Sequence, residues 1–407
     1  MVTTLILYWT PYHSNATHWN SRAIDQCGLP YTCQLTHDRA RLFEARAVVF
    51  HAPEMRFDDL PAQGESPWVV HMKDPPTEVK WVHEEEKLRL FQHSMTYRLD
   101  STFPSSPLPP TFFADSLRPP SVSWSERNHV PIVWVNGDCT APNGRHHYVR
   151  ELMRWIDVDV YGGCLANKAW PPDTTLEHVI STYKFHLVLE PSNCANYLHP
   201  HTLLATTLRA GAVPLVDGPR DYTPFSPHTD ALIQLDDFSS PRALATRLTE
   251  LAKDEKLYAA HLRYKEGGGA TVARKFTSLW NKTGAHNGPN GGWGYDETSA
   301  WCRLCRTVVE GEKEDVAAKR QAMVVVMSER PCVARKHLVW RRGFVGVRDV
   351  GIEVGVPGQW ALGVVVAGLI VVMARKSWRM WVRDMADYIT GYEEAGKPRQ
   401  GGKTRID

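Results

Sequence analysis

Short apolar runs that alternate with polar loops fill the first 125 residues and predict the parallel strands of an α/β domain. The clearest of these runs are residues 5–9, 47–51 and 68–72. We expect them to form a first domain over residues 1–125. Residues 104–121 carry many prolines, which is typical of a linker between two domains.

A second series of elements predicts another α/β domain over residues 126–270. It begins with a strand at 131–135 and continues through a helix near 145–156 and a strand at 158–162. An amphipathic segment over residues 240–265 starts with a serine-proline pattern that is typical of a helix start. The predicted fold class is therefore α/β, with two Rossmann-like domains and an active site between them.

Residues 183–218 form the most informative segment of the chain. An apolar strand ends in Glu190, a polar loop follows, and a helix is predicted from about residue 202 to 209. Gly211 ends that helix, and a second strand runs to Asp217. Open α/β sheets bind ligands at the carboxyl ends of their strands, so this β-α-β unit predicts a ligand site at Glu190 and its loop.

The remaining third of the chain is predicted to be less regular. Residues 267–292 read as a loop, and residues 271–350 form a cysteine-containing accessory segment. Residues 354–374 are apolar and precede a basic polar tail over residues 375–407, which predicts a transmembrane helix with a lumenal body by the positive-inside rule. A buried hairpin or strand pair is the alternative, because proline and glutamine interrupt the run.

Composition and charge narrow the class of protein. Lys and Arg total 47 and Asp and Glu total 45, so the net charge of +2 gives no argument for a nucleic-acid partner. The chain has 8 cysteines, and sequons stand at Asn15 and Asn281, which favours a glycosylated lumenal protein with disulfides. No signal peptide opens the sequence, so we expect that a leader is missing from its N-terminus.

Residues 183–218 resemble the donor-binding signature of the α-1,3-fucosyltransferases, glycosyltransferase family 10. The similarity covers nearly all of residues 4–310, including residues 68–76, 143–152 and 296–305. Residues 331–345 resemble the tail of the plant-type enzymes that fucosylate the core of N-glycans. The resemblance implies a GT-B fold and inverting transfer of L-fucose from GDP-fucose to N-acetylglucosamine of a glycoprotein N-glycan, in α-1,3 linkage. It also implies a Golgi membrane location with a lumenal catalytic body.

The same resemblance assigns roles to five side chains. Asp74 stands at the place of the carboxylate that takes the proton of the acceptor hydroxyl. Arg145 matches the arginine that clamps the diphosphate, and Glu190 and Tyr197 match donor-binding residues. His201 stands at the place of a lysine and could donate to a phosphate when protonated. For Asp74 and Arg145 the alternatives are a turn aspartate before two prolines and an ordinary arginine on a helix surface.

Two prolines depart from the family pattern in the polar loop that follows Glu190, residues 191–201, which we call the donor loop. Pro191 replaces an asparagine that contacts the donor, and Pro200 replaces a glutamate that accepts from the ribose hydroxyls. These departures keep a second hypothesis open, in which the chain is a non-catalytic relative that binds glycan or protein on the same scaffold. A third hypothesis is a transferase that uses another nucleotide sugar.

The resemblance also implies that Cys27 and Cys33 are disulfide-bonded with Cys302 and Cys305, which would link the two ends of the catalytic body. A zinc half-site is the rival interpretation of the C-terminal pair, but Cys27 and Cys33 are spaced more widely than usual for a second zinc pair. The other cysteines remain without an assigned partner: Cys139, Cys164, Cys194 and Cys332.

No metal site is predicted. The resemblance implies that GDP-fucose is the donor substrate and that no cofactor is required, although a divalent metal ion could stimulate the reaction. Asp157 and Asp159 match the metal-binding DxD pattern, but they fall in a predicted strand segment and are interpreted as structural. The histidine pairs 146–147 and 199–201 have no third ligand at suitable spacing.

Overall fold

The computed structural model describes residues 3–266, 271–281, 294–311 and 332. The chain divides into a unit over residues 1–343 and a second unit over residues 344–407, and the second unit lies wholly outside the described residues. The first unit contains two sheets, one from each half of the predicted α/β organisation.

The first sheet consists of β1 (Thr3–Tyr8), β2 (Arg22–Ile24), β3 (Thr32–Thr36), β4 (Ala47–His51), β5 (Trp68–Met72) and β6 (His93–Thr96). The second sheet consists of β7 (Ile132–Val135), β8 (Val158–Tyr161), β9 (Phe185–Leu189), β10 (Val213–Asp217) and β11 (Ile233–Gln234). The α-helices of the described residues are α1 (Glu85–Leu88), α2 (Phe112–Ser116), α3 (Arg145–Leu152), α4 (Leu176–Ser181), α5 (Leu204–Ala210), α6 (Pro241–Lys253), α7 (Glu255–Ala260), α8 (Arg274–Trp280) and α9 (Glu297–Glu310).

In both sheets the chain adds strands first on one side of its first strand and then on the other side. That first strand is β1 in one sheet and β7 in the other. The orders are β2-β3-β1-β4-β5-β6 and β11-β10-β9-β7-β8, and all pairs are parallel except β2 with β3. A crevice opens where neighbouring strands feed connections to opposite faces of a parallel sheet. These switch points lie between β1 and β4 in the first sheet and between β7 and β9 in the second.

The predicted strands are present, with ends that agree to within about two residues. Every residue of β4, β5, β9 and β10 is buried. Continuous apolar runs of this kind are expected for parallel strands that are covered on both faces. The prediction of an α/β fold with two parallel sheets is confirmed.

One segment that was predicted to be a loop contains a helix. Helix α8 lies inside residues 267–292, and its Phe276 and Trp280 are buried one turn apart. Both rings lie 5.3 Å from the ring of Phe112. The prediction was wrong because an amphipathic pair at i and i+4 is too short a pattern to distinguish a helix by periodicity.

The proline-rich linker is packed rather than free. Leu108 and Phe112 belong to the core of the second sheet, and the segment contains α2. Helix α5 ends at Gly211, which has a φ of +75°, and a Cβ there would lie 2.8 Å from Cβ of Pro120. The glycine therefore allows both the left-handed end of α5 and the close approach of the linker.

Helix α9 returns from the C-terminal side of the described chain to the core of the first sheet. Two disulfides hold it there, Cys27–Cys302 and Cys33–Cys305. The disulfides that the resemblance implied are confirmed, and the zinc interpretation fails because these sulfur atoms are bonded in pairs. Two further disulfides pair the unassigned cysteines: Cys139–Cys164 and Cys194–Cys332.

The apolar run at 354–374 lies outside the described residues. Within the described ranges, no helix combines the length and apolar character that a membrane crossing needs. Transmembrane anchoring through residues 354–374 therefore stays a prediction.

Candidate functional site

A continuous cleft runs along the carboxyl ends of the strands. One part is a cavity of about 370 Å³ at the β7/β9 switch point, and the other is an adjoining cavity of about 350 Å³ that reaches the first domain. The two cavities share four lining residues: Asp138, Pro191, His199 and His201. The five side chains that the resemblance singled out all line this cleft: Asp74, Arg145, Glu190, Tyr197 and His201.

Arg145 is the first residue of α3 and lies in the cavity at the switch point. Its guanidinium donates to the Leu189 carbonyl and, over 2.9 Å, to Oδ1 of Asn136. The carboxylate of Asp138 lies 3.7 Å from Nη2. Nε of Arg145 is buried and meets no acceptor among the described residues, so the side chain is fixed in place with one donor unused. A helix N-terminus and an oriented guanidinium together suit a phosphate group.

Glu190 is buried at the end of β9 and fixes the loop that follows. Its carboxylate accepts a hydrogen bond of 2.7 Å from the backbone N–H of His199 and another of 2.7 Å from the hydroxyl of Thr202. Burial raises the pKa of Glu190 to about 7, against the opposing effects of these two donors and of Arg145. Because both carboxylate oxygens are engaged within the protein, Glu190 positions the donor loop.

A network of buried polar side chains also holds this loop in place. The Asn143 amide donates 2.8 Å hydrogen bonds to the Glu190 carbonyl and to Oδ1 of Asn193. Asn193 in turn donates over 2.8 Å to Asp217 at the end of β10. Gly218 follows directly, and a Cβ at that position would lie 2.6 Å from Cγ of Glu190. Glycine at position 218 is therefore required by the space that Glu190 occupies.

Tyr197 connects the donor loop to the first domain. The residue is buried, and its ring lies 5.1 Å from that of Tyr97 in a nearly perpendicular arrangement. Burial raises its pKa, and the nearby Glu190 carboxylate adds to that shift, so the hydroxyl stays neutral. Cys194 lies in the same apolar cluster and is bonded to Cys332.

The His199-Pro200-His201 segment forms one wall of the cleft. His201 is exposed, its backbone N–H donates to Nδ1 of His199 over 3.1 Å, and the two rings lie 5.4 Å apart. Burial lowers the pKa of His199, and the neighbouring His201 and Arg145 lower it further. His201 is thus the more accessible of the two imidazoles.

Asp74 comes from the first domain, two residues after the end of β5. It lines the cleft opposite the donor loop, and its side chain is 27% exposed. Its Oδ2 is buried without a hydrogen-bond donor in the described part of the chain. Nε2 of His51 lies 3.9 Å from that oxygen, and Nδ1 of His51 contacts Glu54 at 2.7 Å. A carboxylate that is partly exposed in a cleft can accept a proton from a hydroxyl group.

Sequence reasoning missed His51, Glu54 and the turn that carries His13. His51 is the last residue of β4 at the β1/β4 switch point, and that position was a signal that could have found it. His13 lines the cleft beside Asp74 and has a φ of +48°, with Ser14 at +63°. The backbone N–H of Ser14 donates to Glu54, which anchors the turn.

The predicted glycosylation positions and Asp159 of the DxD pattern have local contacts of their own. Asn15 is exposed, and its Oδ1 accepts from Thr17. Asn281 is half-buried at the end of α8, and the rest of its sequon is outside the described residues. Asp159 lies inside β8 and accepts from the Tyr183 hydroxyl over 2.8 Å. Among the described residues, no three His, Cys, Asp or Glu side chains cluster as a metal site would.

Two models of one protein family match the chain. The model described as "Glycosyltransferase family 10 (fucosyltransferase) C-term" matches residues 124–323. The model described as "Fucosyltransferase, N-terminal" matches residues 2–106. Together they span both sheets and every residue of the cleft discussed above.

Similar curated proteins carry two kinds of name. GDP-fucose protein O-fucosyltransferase 3 of Bos taurus is 30% identical over 296 residues, which is 68% of this chain and 60% of that protein. Alpha-(1,3)-fucosyltransferase B of Drosophila melanogaster is 27% identical over 64% of this chain and 62% of that protein. The matched part of the chain thus spans about 60% of the length of these relatives.

A solved structure titled "Crystal Structure of alpha1,3-Fucosyltransferase with GDP" aligns with 77% of this chain and 92% of its own chain. The identity is 12% and the TM-score is 0.48.

Proposed function

Because the chain belongs to glycosyltransferase family 10, the fucosyltransferases, we propose that it transfers L-fucose from GDP-fucose to a hydroxyl group with inversion at the anomeric carbon. The observation that carries the proposal is that Asp74, Arg145 and the donor loop all line one continuous cleft. A basic carboxylate and a phosphate clamp on opposite walls are the two groups that an inverting transfer needs.

In the proposed reaction, Asp74 removes the proton of the acceptor hydroxyl while that oxygen bonds to C1 of fucose. The bond between C1 and the phosphate oxygen breaks, and GDP leaves with the electron pair. Arg145 and the N-terminus of α3 stabilise the negative charge that develops on the diphosphate. His201 can donate a further hydrogen bond to that group from the open side of the cleft.

For the acceptor, we propose N-acetylglucosamine of a glycoprotein N-glycan, fucosylated in α-1,3 linkage. A hydroxyl side chain of a polypeptide is the second candidate, and the names of the similar protein O-fucosyltransferases favour it. Incubation with labelled GDP-fucose and both acceptor types separates them. Alkaline β-elimination releases fucose from Ser or Thr and leaves fucose on an N-glycan in place.

The alternative is a catalytically impaired relative that binds glycan or protein. Pro191 and Pro200 support it, because both line the cleft where the family pattern has donor-binding side chains. If the chain is such an impaired relative, neither GDP nor GDP-fucose should bind saturably. If it is an active transferase, both should. A third version, with another nucleotide sugar, predicts that UDP competes better than GDP.

We also propose that the protein works in the Golgi, as a membrane-associated protein with its catalytic body in the lumen. The four disulfides support an oxidising compartment, since such bonds rarely persist in the cytosol. Localisation of the tagged full-length protein by immunofluorescence, with protease protection of the body in sealed vesicles, tests this point.

A further inference from the structure

A buried histidine lies behind the proposed catalytic carboxylate. His51 ends β4, its backbone N–H donates to the hydroxyl of Thr10 over 2.7 Å, and its side chain is 1% exposed. Nδ1 contacts Oε2 of Glu54 at 2.7 Å, and Nε2 lies 3.9 Å from Oδ2 of Asp74. The ring therefore lies between two carboxylates, one from the turn after β4 and one from the loop after β5.

The contact with Glu54 determines which ring nitrogen carries the proton. A carboxylate can only accept, so Nδ1 must donate to Glu54. In the neutral ring Nε2 is then an acceptor. Nε2 of His51 and Oδ2 of Asp74 are both buried, and neither has a hydrogen-bond partner within the described residues. Two buried acceptors side by side are unsatisfied until one proton is placed between them.

We propose that His51, held by Glu54, accepts from Asp74 the proton that Asp74 removes from the acceptor hydroxyl. The inference rests on the proposed function, and it makes His51 a positioning residue that acts through Asp74. The proton moves from the hydroxyl oxygen to Asp74 and then to Nε2, while the fucose–phosphate bond breaks and GDP takes that electron pair. Release of the proton to water after GDP leaves restores the neutral ring.

The 3.9 Å between Nε2 and Oδ2 is longer than a hydrogen bond. Rotation of the Asp74 carboxylate about its Cβ–Cγ bond, or one bridging water, closes that gap. The fixed imidazole behind Asp74 then also supplies a partner that holds this short side chain in place.

The groups around the ring keep it neutral at rest and ready to accept. Burial lowers the pKa of His51, and the Glu54 and Asp74 carboxylates oppose that shift. From the turn at residues 12–15, His13 faces the ring at 4.9 Å and lowers its pKa, and Tyr12 packs at 4.8 Å. On β5, His71 lies 6.0 Å away, with its Nδ1 paired to the hydroxyl of Tyr8 at 2.8 Å.

The first test is the pH dependence of kcat in wild-type protein, His51→Gln and Glu54→Gln. We expect kcat to fall by about tenfold or more in both variants, with little change in the KM for GDP-fucose, because general-base assistance is worth about 10²–10⁴-fold. We also expect the acidic limb of the pH profile to move to lower pH in both variants. The reason is that Asp74 and its partner at position 51 then bind their shared proton less tightly. A lower rate with the limb unmoved would overturn the inference.

Glu44→Gln is the matched control, since Glu44 is an exposed glutamate in the same part of the chain and pairs with Arg41. This variant should leave both kcat and the position of the acidic limb unchanged. Glu54 is partly exposed, so Glu54→Gln keeps the test decisive if His51→Gln does not fold.

The second test does not depend on transfer. NMR titration of full-length protein with ¹³C-labelled histidine follows the His51 ring, identified by the signal that His51→Gln removes. Asp74→Asn should lower the His51 pKa by about one unit or more, because a carboxylate within about 4–6 Å favours the charged ring. An unchanged pKa would overturn the inference. If wild-type protein transfers no fucose, the proposed function fails, and the coupling then stands or falls on this titration alone.

Discussion

The carboxylate of Glu190 accepts a 2.7 Å hydrogen bond from the backbone N–H of His199, nine residues further along the chain. This contact ties the far end of the donor loop to the end of β9. Together with the hydrogen bonds of Asn143 and Asn193, it holds in place the loop that carries both proline departures.

Glu190 should make stability depend on pH. Its folded-state pKa is raised to about 7 from an ordinary value near 4.5, so the native protein binds this proton more tightly than the unfolded chain does. Its contribution is therefore complete below about pH 4.5 and is lost as the pH rises through about 7, with an upper bound of about 3 kcal/mol. Chemical unfolding followed from pH 4.5 to 8 measures this loss.

Glu190→Gln removes the titrating group, while its amide oxygen can accept from the His199 N–H and its NH2 group can donate to the Thr202 hydroxyl oxygen. We expect the free energy of unfolding of this variant to change less between pH 4.5 and 8 than that of wild-type protein. Equal slopes for the two proteins would show that Glu190 does not titrate in this range.

Asp74→Asn should slow transfer without weakening donor binding. The amide has nearly the same shape but cannot take the acceptor proton, so we expect kcat to fall by about 10²-fold or more. Fucose transfer and GDP-fucose affinity are measured on the same preparation. Asp58→Asn, at an exposed carboxylate of the same domain, is the control and should leave both unchanged. Undiminished transfer by Asp74→Asn would refute its role as the base.

Pro200→Glu restores the side chain that the family pattern has in the donor loop. If the cleft binds GDP-fucose, the new carboxylate can accept from the ribose hydroxyls, and we expect the Kd to fall by about tenfold or more, the value of one charged hydrogen bond. Competition binding with a fluorescent GDP analogue measures this change. Weaker binding would place the ribose elsewhere.

The disulfide Cys33–Cys305 should stabilise the first domain. It joins β3 to α9 across a sequence separation of 272 residues. Because Cys27–Cys302 closes nearly the same loop over a separation of 275 residues, the long loop opens only when both bonds are removed. Replacing all four of these cysteines by serine should cost at least the value of one native disulfide, about 2–5 kcal/mol, in the free energy of unfolding. Thermal unfolding of this variant beside Cys139→Ser/Cys164→Ser, which opens a separation of 25 residues, compares a long loop with a short one. A larger loss for the short loop would contradict the loop-length argument.

The strands of the two sheets could be predicted because fully buried parallel strands leave continuous apolar runs, as in β4 and β9. Asp74 and Arg145 were identified only through the family resemblance, and their meeting across the cleft depends on packing. His51 was missed because its one signal, the position at the end of β4 beside the β1/β4 switch point, depends on the order of the strands, and a single histidine carries no motif. The pairing of Cys139 with Cys164 depends on β7 and β8 being neighbours, which the sequence order alone does not specify.

The central claim is that the cleft binds GDP-fucose through Arg145. Calorimetric titration of GDP and GDP-fucose into the full-length, disulfide-bonded protein tests it most directly, beside Arg145→Ala and the control Arg150→Ala on the exposed face of the same helix. We expect saturable binding by wild-type protein and Arg150→Ala. In Arg145→Ala the Kd should rise by about 30-fold or more, since losing one partner of a buried charge pair costs about 2 kcal/mol or more. No binding by wild-type protein, or equal binding by Arg145→Ala, would contradict the account.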